Sequence, residues 1–434
     1  MSSTASIQDA AAAARQRGVQ PGRLDVLDGV RGWSALIVVA YHMFWETFGV
    51  LVPGFRNPLT GFLLDGRLAV CVFFVLSGEA LSAAFFAGKG DPATIRLAIK
   101  RYPRLAIPIL YSCLVIFVLD QCGLIYNRDA AEIVQRADWL GVWLQNPPNL
   151  TTTLRFALFG VFVSDEFTHA PNPMLLTMRI ELLGSFALFA MLIAWSRIPQ
   201  PRICAAILFL HAAFAPSNLE NYLSCFFAGA IFADWRARGF FTAAGTTRRW
   251  APTAAIAAIG LADGFLHYFG YDVCKPLFAV VLVLAIYSSP PFTAFFSKAV
   301  SRALGRISFP LYLIQFPVLL SLTSGLIVRA GHNGPLSLVT IWGIALASTA
   351  ACLLAAIAFE PIEALSRNAG DRLVTAVIWS SRRLAPPSVS ARLQSNRKAE
   401  IVLPPIASRK LDAPAAPSAA PTTTISGSRC SSRG

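Results

Sequence analysis

Arg31-Gly-Trp-Ser-Ala-Leu-Ile-Val-Val-Ala-Tyr-His42 sets a cation at the head of an apolar helix and an imidazole inside it. Eleven α-helical steps advance about 16 Å and turn about three times, which returns Arg31 and His42 to one face. Across an apolar bilayer core about 30 Å thick, Arg31 then lies at one surface and His42 near mid-depth. Ionisable groups are costly at that depth and mark functional pathways. A histidine hydrogen-bonded within a helix bundle is the blander account of the same residue.

The rest of the chain is built like this stretch. Of its 434 residues 55% are hydrophobic and 14% charged, and the mean hydropathy is +0.56. That excludes an ordinary soluble domain; the expected class is an all-α polytopic membrane protein. Residues 1–27 are polar and basic, with no apolar core ahead of a small-residue cleavage site, so the first helix is expected to stay in the membrane. Apolar runs near 32–51, 68–88, 105–126, 174–195, 202–216, 220–235, 252–270, 276–290, 308–329 and 336–359 predict about ten transmembrane helices. The run 151–164 is too short to span and reads as a re-entrant or interfacial piece.

A net charge of +14 invites a nucleic-acid reading, but its distribution argues against one. The cations gather in alternate connections: Arg15, Arg17, Arg23 and Arg31; Lys89, Arg96, Lys100, Arg101 and Arg104; Arg197 and Arg202; Arg236, Arg238, Arg248 and Arg249; Lys298, Arg302 and Arg306. This is the positive-inside asymmetry of an even number of spans with both termini cytoplasmic. The bilayer, not a nucleic acid, is the expected partner. Eight scattered cysteines without a C-x-x-C pair predict neither a metal site nor a disulfide framework.

Three segments follow from composition. Residues 1–24 form a basic cytoplasmic segment, 25–380 a membrane domain, and 384–434 a Pro/Ala/Ser-rich tail expected to be disordered in the cytoplasm. The longest outer loop, 127–173, carries Asn-Pro-Pro-Asn and Pro-Asn-Pro turns and is expected to cap an external cavity. No internal repeat is present.

Several polar residues stand out against this background. Glu46 falls one α-helical turn beyond His42, where a carboxylate would orient the imidazole and raise its basicity; an interfacial glutamate is the equal alternative. Lys100, Arg101 and Arg104 crowd a helix entrance on the side of Arg31, suited to clamping phosphates as well as to setting topology. Arg179 and Glu181 sit in the fourth apolar run, two residues apart and so not obliged to pair with each other. Glu79 in the second run needs a partner too, and Glu360 closes the last run as a surface anchor or cavity carboxylate.

Taken in order, these segments resemble the acyltransferase-3 family of integral-membrane O-acyltransferases. Leu24-Asp-Val-Leu-Asp28-Gly29-Val-Arg31-Gly with Tyr41-His42 is similar to its first-helix signature, and Gly66 through Ser77-Gly78 to its second. Arg101-x-x-Arg104 with Pro108, Leu176-Thr177-Met-Arg179-Ile-Glu181, Ser308-Phe-Pro-Leu-Tyr312-Leu-Ile and Phe359-Glu360-Pro361 resemble its later motifs. The resemblance covers residues 22–366. Three positions depart from it: Glu79 follows Ser77-Gly78, Gln315 stands where many members have histidine, and no tryptophan precedes Thr177.

The resemblance implies an enzyme that moves an acyl group, acetyl in the simplest case, from acyl-CoA on the cytoplasmic side to a hydroxyl of an envelope or exported carbohydrate or lipid-linked sugar. Arg31, Arg101 and Arg104 would hold the donor's phosphates. His42, with Glu46, would act as general base or transient acyl carrier. Glu181, Arg179, Ser308, Tyr312 and Glu360 would line the cavity. Acyl-CoA is then a co-substrate, with no tightly bound cofactor. A bacterial inner membrane fits the composition. A succinyl-type transferase acting on periplasmic glucans shares this plan, and a transporter of small molecules or lipid-linked sugars would use the buried charges equally well.

Overall fold

The computed structural model describes residues 21–164, 170–243, 250–271 and 274–384. Every regular element among them is helical. The chain divides into two units, Met1–Val377 and Ile378–Gly434. Of the second, only residues 378–384 are described, as the last turns of a helix. The expected N-terminal segment and tail lie, but for residues 21–24 and 384, outside the described residues.

Helix α1 (Pro21–Ala40) runs into a π-helical turn, Tyr41–Glu46. Helices α2 (Pro58–Leu63), α3 (Gly66–Ala84) and α4 (Gly90–Gln121) follow. Asp65 caps α3 by accepting from the Leu68 backbone N–H at 2.8 Å. Gly88 (φ +86°) and Gly90 (φ +54°) adopt left-handed values that a side chain would strain, and there the chain breaks between α3 and α4. The segment expected to be the longest outer loop, 127–173, begins with α5 (Asn127–Ile133), and its apolar part is the helix α6 (Leu150–Arg155), which continues helically to Val163.

The remaining helices are α7 (Leu176–Ala194), α8 (Pro201–Ala213), α9 (Asn218–Ala237), α10 (Ala251–Tyr268), α11 (Lys275–Ser288), α12 (Pro290–Phe296), α13 (Ala299–Arg306), α14 (Ser308–Val318), α15 (Ser324–Gly331), α16 (Leu338–Ala358) and α17 (Glu360–Leu384).

Four helical stretches are long and apolar enough to cross a bilayer: Pro58–Gln121, Pro173–Ala194, Ser308–Gly331 and Leu338–Ser380. The sharply bent pair α11–α12 makes a fifth if it counts as one span. The expected count of about ten spans is not confirmed on these terms: Pro58–Gln121 alone takes in most of two expected runs, 68–88 and 105–126, and other runs fall short for a physical reason. Helix α8 has 13 residues, about 20 Å, short of the apolar core. The first helix carries His42 and Glu46, α9 carries Asp234 and Arg236, and α10 carries Asp263 and His267, which lowers their apolarity.

Close backbone contact organises the packing. Helix α3 lies on α9 with Gly78 and Gly229 at the crossing. A Cβ on Gly78 would stand 2.5 Å from the Phe226 carbonyl oxygen, and one on Gly229 2.2 Å from that of Val75. Helix α14 docks on α4 through a proline. Pro317 has no N–H to offer the Leu313 carbonyl, and the Ser112 hydroxyl of α4 takes its place at 2.8 Å. Two of the apolar clusters meet along α14. One joins Val39 and Met43 to Leu311, Ile314 and Leu320; the other joins Leu105, Ile109 and Met178 to Leu313.

Candidate functional site

The first helix carries polar groups at two levels. At the Arg31 level the structure gathers the cations that the sequence singled out. Arg31 faces Asp28 at 3.9 Å and lies over the Phe73 ring at 5.0 Å. It also lies in the field of Glu181, Arg101 and Glu363. Its buried Nε has no hydrogen-bond partner among the described residues. Arg104 is exposed, pairs with nothing among the described residues, and shares the field of Arg101, Arg31, Glu363 and Arg367.

Arg101 differs from both. Its guanidinium binds Glu181 and donates through Nε to the Ser185 hydroxyl at 2.7 Å. Glu181 is 5% exposed, also accepts from the Ser77 hydroxyl at 3.0 Å, and thereby ties α3, α4 and α7 together. Arg179 points elsewhere, toward the Ser164 carbonyl at 3.4 Å, so the two charges of α7 serve different neighbours. Lys100 pairs with Asp371 on α17.

At the other level stands His42, partly buried. Its Nδ1 lies 3.0 Å from Gln315 Oε1 on α14, and its ring stacks on Trp139 of the 127–173 segment at 5.9 Å between centroids and 18° between planes. That segment therefore lies against the imidazole through Trp139.

Glu46 does not pair with His42. The chain turns as a π-helix from Tyr41 to Glu46, so residues five apart rather than four face each other. Glu46 consequently accepts from the Tyr41 hydroxyl. It also binds Arg136 at 2.8 Å and approaches Arg56 at 3.4 Å. Arg136 is 5% exposed, lies over the Trp139 ring at 5.4 Å and bonds Asp138 at 3.0 Å. That hydrogen bond holds the Asp138 carboxyl below the usual carboxylate range. Glu46 thus latches the loop that covers His42. Arg136 and Trp139 escaped the sequence reading because residues in an irregular loop carry no periodicity.

Tyr312 bonds Thr177 at 2.6 Å and donates to the Met174 carbonyl, joining α14 to the start of α7. Ser308 is buried and donates to the Gly305 carbonyl at 2.8 Å, within its own turn. Glu360 is exposed at the head of α17 and is not brought to His42 by any contact.

Two further buried networks lie nearby, the first answering the charge of Glu79 that the sequence left open. Glu79 accepts from Arg236 and, at 2.7 Å, from the Tyr287 hydroxyl. Lys275 sits between Asp65 and Asp263, 2.8 Å from the latter, and His267 lies 3.6 Å from Asp65. His267 also lies against Trp45 and Tyr41, so this network abuts the π-helical end of the first helix. Among the described residues no group of acidic, histidine or cysteine side chains could hold a metal ion.

A family model described as an acyltransferase domain matches residues 24–360. An O-acetyltransferase of Phomopsis amygdali, PaAT-1, is 26% identical over 355 residues, covering 68% of this chain and 71% of that one. A crystal structure of an H+/Ca2+ exchanger, CAX, aligns over 85% of this chain and 96% of its own at 13% identity. Its TM-score of 0.12 is too low to indicate a shared fold.

Proposed function

Because this chain belongs to the acyltransferase-3 family and is a membrane O-acyltransferase, we propose that it transfers an acyl group from acyl-CoA to a carbohydrate hydroxyl. The donor is acetyl-CoA, met on the cytoplasmic side, and the acceptor is an envelope or exported glycan or a lipid-linked sugar. What supports the reading is the pairing on one helix of Arg31, within an arginine cluster, and His42, held between α14 and the outer loop.

The chemistry follows from those two levels. Arg31 and Arg104 grip the phosphates of the donor, and Arg101, anchored by Glu181, contributes its remaining N–H groups. Arginine suits this work because its planar fork matches phosphate oxygens. The slender pantetheine arm carries the thioester along α1 toward His42. The acceptor hydroxyl loses its proton to His42 as its oxygen attacks the thioester carbonyl. The C–O bond forms, the C–S bond breaks, and the imidazolium returns the proton to the departing thiolate. A histidine that carries the acyl group for part of the cycle gives the same balance. The outer loop, with Trp139 on the imidazole, keeps water from competing with the acceptor.

Sealed membrane vesicles of both orientations test the donor and its side. Inverted vesicles given radiolabelled acetyl-CoA should label a glycan or lipid fraction, and right-side-out vesicles should not. Labelling from the opposite side alone, or none with inserted protein, would overturn the assignment.

A further inference from the structure

We infer that Gln315 is a positioning residue that holds His42 as the Nδ1–H tautomer and so makes Nε2 the reacting nitrogen. The inference rests on the proposed role of His42 and adds to it which nitrogen reacts and what selects it. Gln315 is 1% exposed on α14. Its side-chain amide meets two partners: Nε2 lies 3.1 Å from the Tyr312 carbonyl oxygen, and Oε1 lies 3.0 Å from His42 Nδ1.

A carbonyl oxygen only accepts, so the NH2 end of the amide must face Tyr312. The oxygen then faces His42, and because it too only accepts, Nδ1 must carry the hydrogen. In the neutral ring the lone pair is left on Nε2, the nitrogen able to take a proton or an acyl group. The carbonyl of Tyr312 thus fixes the amide, and the amide fixes the imidazole. Trp139, stacked on the ring face, limits its rotation.

The electrical surroundings leave this arrangement uncontested. Gln315 on α14 and Trp139 in the outer loop are uncharged, and Glu46, on the same π-turn as His42, is the charged group whose field reaches it. Glu46 is itself engaged by Arg136, Arg56 and Tyr41. Among the described residues no carboxylate accepts from Nδ1, so the neutral amide does the orienting that an acidic partner performs in many histidine sites.

Four variants of the full chain, purified in detergent, decide the matter with acetyl-CoA as donor and the acceptor fraction identified by labelling. Gln315→Leu should lower kcat about 100-fold with the KM for acetyl-CoA within about twofold, since the donor's phosphates lie at the other level. Gln315→Asn, whose carbonyl is retracted by about 1.5 Å, should fall between it and the parent. Gln315→Glu keeps an acceptor for Nδ1 but sets its second oxygen against the Tyr312 carbonyl, so it should recover only part of the lost kcat. Its carboxylate favours the imidazolium, so the acid limb of the kcat profile should move up by about one pH unit. An unchanged kcat in Gln315→Leu and Gln315→Asn, or an unmoved acid limb in an active Gln315→Glu, overturns the positioning role. His42→Ala, run beside them, separates the two levels of the argument: its full activity overturns the role of His42 itself. An inactive His42→Ala beside unaffected Gln315 variants removes only Gln315.

Discussion

Arg101 and Arg104 are three residues apart and chemically identical, yet their replacement by leucine should fail in different ways. Arg101→Leu removes the cation that faces Glu181, a carboxylate 5% exposed whose remaining side-chain partner is Ser77 at 3.0 Å. Breaking a buried ion pair from one side costs about 3–5 kcal/mol, because the other charge stays buried and uncompensated. Arg104 is exposed and pairs with nothing among the described residues, so Arg104→Leu should change stability by no more than about 0.5 kcal/mol. A lost charge-assisted hydrogen bond to a donor phosphate is worth about 1.5–3 kcal/mol, or about 10- to 150-fold in the KM for acetyl-CoA.

Thermal unfolding of the purified protein in detergent, paired with initial rates against acetyl-CoA, separates the two effects. Arg101→Leu should unfold at clearly lower temperature, and adding Glu181→Met should restore most of the loss, since an apolar pair replaces a buried ionic one at little cost. Arg104→Leu should unfold like the parent with a raised KM. Equal thermal losses for the two arginines, or no recovery in the double variant, would refute the reasoning.

Other outcomes follow from particular contacts. Lys275→Met strands Asp65 and Asp263, 1% and 0% exposed, and should cost about 3–5 kcal/mol in the same unfolding assay; adding Asp263→Asn should recover part of it, and no recovery would show that Lys275 is not there for charge. Gly78→Ala places a Cβ 2.5 Å from the Phe226 carbonyl oxygen, so α3 and α9 must part at a cost of about 1–3 kcal/mol; an unfolding temperature equal to the parent's would contradict that crossing. Trp139→Ala uncovers the imidazole and should raise acceptor-independent hydrolysis of acetyl-CoA, measured as free thiol; hydrolysis no higher than in the parent would remove the loop from the exclusion of water.

The sequence made some of this legible because local rules sufficed. Apolar runs near 68–88, 105–126, 174–195, 308–329 and 336–359 fall wholly or largely within the stretches able to cross a bilayer. Ordered motifs identified the family, whose model matches residues 24–360. What escaped depended on distant partners or on a change of helical pitch. Arg101 and Glu181 are 80 residues apart in sequence, and their pairing turned an expected phosphate ligand into a link between helices as well. The π-turn moved Glu46 from His42 to Tyr41 and Arg136, because an i,i+4 rule holds only where the pitch is α-helical. Asp263 and His267 lowered the apolarity of their run, a visible signal, but nothing local pointed from them to Asp65 and Lys275. Gln315 was visible only as a departure from a family pattern; the contacts with His42 and Tyr312 give it a task.

The most direct measurement is transfer of radiolabel from acetyl-CoA to endogenous acceptors in inverted vesicles, comparing the parent with His42→Ala at matched membrane levels. Label in the glycan or lipid fraction of the parent, and none in the variant, is the expected result. Equal labelling in a correctly inserted His42→Ala would contradict the assignment of the chemistry to this histidine.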